Sequence, residues 1–132
     1  MNRENVEYSI ELMRKAKALG MSYWQERKDD CGDYACNVEE LHTCGNKACF
    51  AGYVALSGKF QADGGRQMIG GMPYIDGESG DVAIAVWLDI SDKLAKGLVY
   101  GDNNFYHPIS FQSVQAHHVI DKLQMILSGE LE

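Results

Sequence analysis

The sequence predicts a mainly α, single small helical domain, with a Gly-rich excursion that holds at most a small β-hairpin. Three observations carry this. Apolar residues near both ends of the chain recur at spacings of three and four, which stack them on one face of a helix. Half of the fourteen glycines crowd between Gly58 and Gly80, where turns are expected. The chain has 132 residues, and single domains most often hold about 100–150. Residues 1–132 are therefore read as one domain.

Residues 3–19 read as an amphipathic helix, with Val6, Ile10, Met13, Ala16 and Leu19 on one face. Glu4 and Glu7 sit near its positive end, and Arg14, Lys15 and Lys17 near its negative end. Gly20 is a plausible stop. Residues 21–43 are less regular. Tyr23 and Trp24 read as core or rim anchors, Glu26 to Asp33 as an exposed charged loop, and 34–41 as a short strand or extended lead-in.

Residues 46–57 read as a second helix, capped by the side-chain oxygen of Asn46 and closed by Gly58. Its small residues Ala48, Cys49, Ala51, Gly52 and Ala55 let another element approach closely. Cys49 and Gly52 are expected on its inner face, so Cys49→Ser is expected to place a hydroxyl in the core. Gly64-Gly65, Gly70-Gly71 and Asp76-Gly77 punctuate the next stretch, with Met72 to Asp76 as a small strand.

Three helical segments follow. Asp81 to Leu88 is apolar nearly all round, as a buried helix is. Ser91 caps a helix over Asp92 to Val99. Residues 101–112 are a loop containing Pro108. Ser113 is expected to cap the last helix, running to about Leu127 with Val119, Leu123, Ile126 and Leu127, together with Ala116, facing inward. Gly129 ends it, and the acidic tail is expected to fray.

Charge and composition narrow the function. Twelve Lys and Arg face nineteen Asp and Glu, a net charge of −7. The first 30 residues are balanced, so the whole acidic excess lies after them. Duplex binding needs clustered Lys and Arg, and no such cluster exists, so no direct nucleic-acid binding is expected. An acidic surface suits solubility, a basic partner, or mimicry of a nucleic acid. The longest apolar run, Val82 to Leu88, is far too short to span a bilayer, so no membrane partner is expected. Glu4, Glu7 and Glu11 are unlike a secretory signal, and a cytoplasmic setting is expected. No Gly-rich phosphate motif, paired-carboxylate pattern or metalloprotease helix is present.

The cysteines are the most distinctive feature. Cys31-Gly32-Asp33-Tyr34-Ala35-Cys36 and Cys44-Gly45-Asn46-Lys47-Ala48-Cys49 share Cys, Gly, Ala and Cys at matching places. Three chemistries fit. Cys31, Cys36, Cys44 and Cys49, with His42 as a fifth candidate, match the two-pair layout of structural zinc, although the spacing within each pair is wider than the usual knuckle. A thiolate at a helix N-terminus suits redox chemistry, without the usual two-residue spacing. Four reduced thiols, with Cys49 buried in the core, suit a reducing compartment. A Cys–His nucleophile would need His42, His107, His117 or His118 beside Cys44 or Cys49; no nucleophile motif is present.

The stretch Leu41-His42-Thr43-Cys44-Gly45-Asn46-Lys47-Ala48-Cys49-Phe50-Ala51-Gly52-Tyr53 resembles the Cys-Gly-Thr-x-x-Cys-x-Ala-Gly motif of uncharacterised small proteins from tailed phages and prophages. His42, Cys44, Gly45, Asn46, Cys49, Ala51 and Gly52 carry the likeness, with Asn46 in place of the usual Thr. Asp81 to Ser91 is similar to a short family helix ending Leu-Gly-Ile-Ser, with Asp89 where glycine is common. Leu98-Val99-Tyr100 and Ala116 to Asp121 resemble later family segments. Cys31 and Cys36 have no family counterpart. The resemblance implies a phage-type protein of the bacterial host cytoplasm, an accessory that binds another macromolecule, most simply a protein, without catalysis or cofactor. A zinc-stapled binding module and a cysteine-dependent enzyme are the alternatives.

Overall fold

A computed structural model describes residues 1–26 and 34–131. Seven α-helices occur among these residues: α1 (Arg3–Arg14), α2 (Val38–Cys44), α3 (Phe50–Leu56), α4 (Gly58–Ala62), α5 (Gly80–Leu88), α6 (Asp92–Tyr100) and α7 (Ala116–Leu127). Three short strands, β1 (Arg66–Gln67), β2 (Pro73–Ile75) and β3 (Glu78–Ser79), form an antiparallel sheet in the order β1-β2-β3. The fold is therefore mainly α. The Gly-rich stretch holds the β2–β3 hairpin plus one further short strand. The turn Asp76-Gly77 has positive φ at both residues, 53° and 81°, as tight hairpin turns require.

Helix α1 buries Val6, Ile10 and Met13 against α7, which buries Val119, Leu123 and Ile126. Two hydrogen bonds tie α1 to α5. The Asn2 N–H donates to the Leu88 carbonyl at 2.7 Å, and the Asn5 amide nitrogen to the Trp87 carbonyl at 2.8 Å. All seven residues of α3 are buried, so this helix is the centre of the core. Ser91 caps α6, accepting from the Leu94 N–H at 3.2 Å.

Several boundaries differ from the sequence reading. Helix α1 ends at Arg14; the chain leaves it so that Leu19 can bridge Ala48 in a parallel pairing. The lead-in over 34–41 turns helical from Val38, because Asn37 caps α2 by accepting from the Glu40 N–H at 2.8 Å. The second helix starts at Phe50 and its cap is Cys49, with Asn46 in the extended chain before it. Gly58 opens α4 instead of ending the segment. Helix α7 is capped by Gln115 and not by Ser113, since His118 reaches back to the Gln115 N–H at 2.9 Å. The tail does not fray at Glu130 and Leu131, whose N–H groups donate to the Met125 carbonyl at 2.9 and 3.2 Å. Most of the charged stretch from Glu26 to Asp33, with Cys31, lies outside the described residues.

Candidate functional site

The cysteine motif and the chain after α1 form a clasp. The Gly20 N–H donates to the Ala48 carbonyl at 3.1 Å, the Cys49 N–H to the Tyr23 carbonyl at 2.8 Å, and the Glu26 N–H to the Lys47 carbonyl at 2.6 Å. The Glu26 carboxylate in turn accepts from the Lys47 N–H at 3.2 Å. These bonds satisfy backbone groups on both segments, as buried chain requires.

Each motif residue has a place in this clasp. His42 accepts the Lys17 N–H on Nε2 at 3.2 Å, which puts the ring proton on Nδ1. Its Nε2 also lies 3.3 Å from the Tyr53 hydroxyl, which donates to the Ala18 carbonyl at 2.6 Å. Burial, then the Lys17 ammonium, hold the His42 imidazole below its ordinary value. Cys44 ends α2, and Gly45 follows with φ 67°, the left-handed conformation that glycine adopts freely at a helix end. Asn46 is buried and its N–H donates to the Leu41 carbonyl at 3.2 Å. Ala51 is buried in the core.

Cys49 and Gly52 sit where the clasp closes. Cys49 Sγ accepts from the Gly52 N–H at 3.4 Å, capping α3. Burial pushes its thiol up to about 11, so it is a neutral thiol at pH 7. Gly52 faces backbone: a Cβ there would lie 1.6 Å from the Trp24 carbonyl oxygen. The close approach expected at Gly52 is real, but its partner is the bend at Trp24, in the segment before the motif, and not another helix.

The three cysteines among the described residues are split between two clefts. Cys49 lines a first cleft, whereas Cys36 and Cys44 line a second beside α2. Cys31 lies outside the described residues. Among the described residues no three His, Cys, Asp or Glu side chains come together as a metal-binding group. None of the four histidines lines the cleft that holds Cys49.

That first cleft, of about 450 Å³, is walled by Tyr23, Trp24, Tyr34, Tyr100 and Phe111. Met21, Cys49 and Val99 supply its apolar floor, and Ser22 and Gln25 its polar groups. The clasp fixes one wall, because Tyr23 and Trp24 belong to the bonded segment. Gln25 is buried and fixes the next: its amide bonds the Ala35 N–H and, at 3.3 Å each, the Ala35 carbonyl and Gln67. Trp24 meets Tyr100 edge to face at 5.9 Å. The Tyr100 hydroxyl donates to Asp81 at 3.3 Å. Burial first, then Asp81, and after it Cys49 and Asp102, push the Tyr100 phenol up to about 12.

Part of the exposed apolar surface lies at this cleft. Seven large apolar side chains are exposed among the described residues. Three of them, Tyr23, Tyr34 and Tyr100, line the cleft, and Met68 and Ile69 immediately precede Gly70 on its lip. Ile69 is 96% exposed. Sequence reasoning placed Tyr23 and Trp24 as anchors but did not assemble the cleft. The available signal was that Tyr23, Tyr34 and Tyr100 fall outside every apolar stripe.

No helix among the described residues is long and apolar enough to cross a membrane. No protein-family model matches the chain, and neither a curated protein nor a solved structure matches it.

Proposed function

We propose that this protein is a non-enzymatic binding module of the phage-accessory type, acting in the bacterial cytoplasm, and that it contacts a protein partner through the aromatic cleft. The observation that carries this reading is the gathering of the exposed side chains of Tyr23, Tyr34 and Tyr100 around one cleft. Exposed apolar groups that cluster mark interaction sites, whereas scattered ones need no explanation. Tyrosine and tryptophan provide large, stiff contact area with a polar tip, and they are enriched at interfaces. The cysteine motif supports the reading as scaffold. Cys49 is a neutral thiol on the cleft floor, and the motif's hydrogen bonds hold the wall that bears Tyr23 and Trp24.

The test compares two proteins in affinity capture from bacterial lysate, with partners identified by mass spectrometry. One is the native chain, and the other carries Tyr23→Ser and Tyr100→Ser. A protein captured by the native chain and lost from the variant supports the reading, provided the variant unfolds as cooperatively as the native chain. Equal capture by both places the contact elsewhere and overturns it. A cysteine-dependent turnover abolished by Cys49→Ala in a folded protein overturns the non-enzymatic part.

A further inference from the structure

The inference below rests on the cleft being a protein contact and names what enters it. We infer that the aromatic cleft receives a cationic side chain, lysine or arginine, from a basic segment of the partner. Four features point the same way. The walls present Tyr and Trp rings, whose electron-rich faces attract an ammonium or guanidinium group. Among the described residues no Lys, Arg or His lines the cleft.

A carboxylate also stands directly behind the rings. Asp81 accepts the Tyr100 hydroxyl on Oδ1, while its buried Oδ2 has no hydrogen-bond partner among the described residues. The preceding Gly80 backs onto both rings: a Cβ there would lie 3.7 Å from Trp24 Cη2 and 3.7 Å from the Tyr100 hydroxyl. Asp102 adds a second negative charge that acts on Tyr100. Asp81 is half-buried, so its charge is felt at the rings with less screening than on open surface. Lastly, the net charge of −7 draws a basic segment toward the surface before any ring is touched. The field steers the partner; the rings and Asp81 decide what the cleft keeps.

The test is a titration of the full chain followed by the Trp24 indole N–H resonance. The probes are a blocked Gly-Arg-Gly-Arg-Gly peptide, its Leu counterpart, and choline. The Arg peptide is expected to shift Trp24 and to bind about tenfold more tightly than the Leu peptide or choline. Tyr100→Leu and Phe111→Leu each keep the net charge, so loose surface attraction survives in them. Both are expected to lose most of the Trp24 response. Asp102→Asn keeps every ring and is expected to weaken binding by a few-fold, and less so at high salt. Two variants on different elements guard against one failing to fold.

If the Leu peptide binds as well as the Arg peptide, the cleft is merely apolar. The cation is then overturned while the protein contact stands. If choline matches the Arg peptide, the occupant is a small ammonium ligand and the inference fails. If both ring variants respond like the native chain, the attraction is surface charge and the inference fails again. Should lysate capture also survive Tyr23→Ser with Tyr100→Ser, the protein contact itself is lost.

Discussion

The clasp and the α1–α7 pair both pack onto the core, yet they are held together by different means. In the helix pair, side chains on two amphipathic faces fill the space between backbones, with Val6, Ile10 and Met13 against Val119, Leu123 and Ile126. In the clasp, backbone meets backbone, and Gly52 lies under the Trp24 carbonyl with no room for a Cβ. The two should therefore fail differently. A helix pair loses stability in proportion to the side-chain volume removed. A clasp fails when volume is added.

Gly52→Ala is the largest expected effect. The added methyl would meet backbone oxygen at 1.6 Å, and no side-chain rotation relieves that. The segment bearing Tyr23 and Trp24 must move, with loss of its hydrogen bonds to Ala48 and Cys49. A destabilisation of about 3–5 kcal/mol is expected, at the upper end for overpacking, together with loss of the aromatic cleft. Urea unfolding measures the first and the Trp24 resonance the second. A native midpoint in Gly52→Ala would show that the two backbones are not packed as described.

Leu123→Ala probes the other region. Leu123 is fully buried on α7, and truncating a buried leucine costs about 2–5 kcal/mol, depending on how far the site collapses. Here the cleft should survive, because α7 lies outside it. A Leu123→Ala protein that loses the Trp24 environment while still folded would dissolve the distinction between the two regions.

The same distinction explains what could be read from the sequence. Periodicity reports side chains, so the stripes of α1 and α7 and the apolar α5 were legible, and so was the Ser91 cap. The clasp depends on hydrogen bonds between residues about twenty-five apart, such as Gly20 with Ala48, and no local pattern encodes them. Helix α1 stops at Arg14 for that reason, although Ala16 and Leu19 continue the helical spacing. The motif region was recognised as a place of close approach from its small residues. Which of them caps the helix depended on geometry: Asn46 is the better capping residue by type, but Cys49 holds the position. The cleft was illegible because Tyr23, Tyr34, Tyr100 and Phe111 come from four separate segments.

Cys49 sharpens the comparison with a smaller effect. The sequence suggested that Cys49→Ser would strand a hydroxyl in the core. In the structure Sγ accepts the Gly52 N–H at 3.4 Å, so a serine oxygen would have a donor waiting. Serine is also a strong capping residue, whereas alanine cannot cap and costs about 0.5–2 kcal/mol at such positions. The expected order of stability by thermal unfolding is therefore native or Ser above Ala. Finding Cys49→Ala more stable than Cys49→Ser would mean that burial outweighs the cap and that the sulfur does not help hold α3 in place.

The mildest test uses two histidines, one in each region, that do the same job. His42 in the clasp accepts the Lys17 N–H on Nε2, and His118 on α7 accepts the Gln115 N–H on Nδ1. A protonated ring nitrogen cannot accept, so both sites favour the neutral ring. Burial lowers both values, helped by Lys17 at His42 and by His117 at His118, where Asp121 works in the opposite direction. The unfolded chain takes up these protons near pH 6.5, and the folded chain only below that. Between the two values the unfolded state binds more protons, so stability falls as the pH drops below about 6.5 and the loss levels off under the folded values. Side-chain NMR titration should give both midpoints below 6.5. Lys17→Gln should raise the His42 midpoint part of the way and leave His118 where it was, because the regions are separate. A His42 midpoint at or above 6.5 would mean that its ring does not accept from the backbone, and the clasp would lose a side chain that ties α2 to the chain after α1.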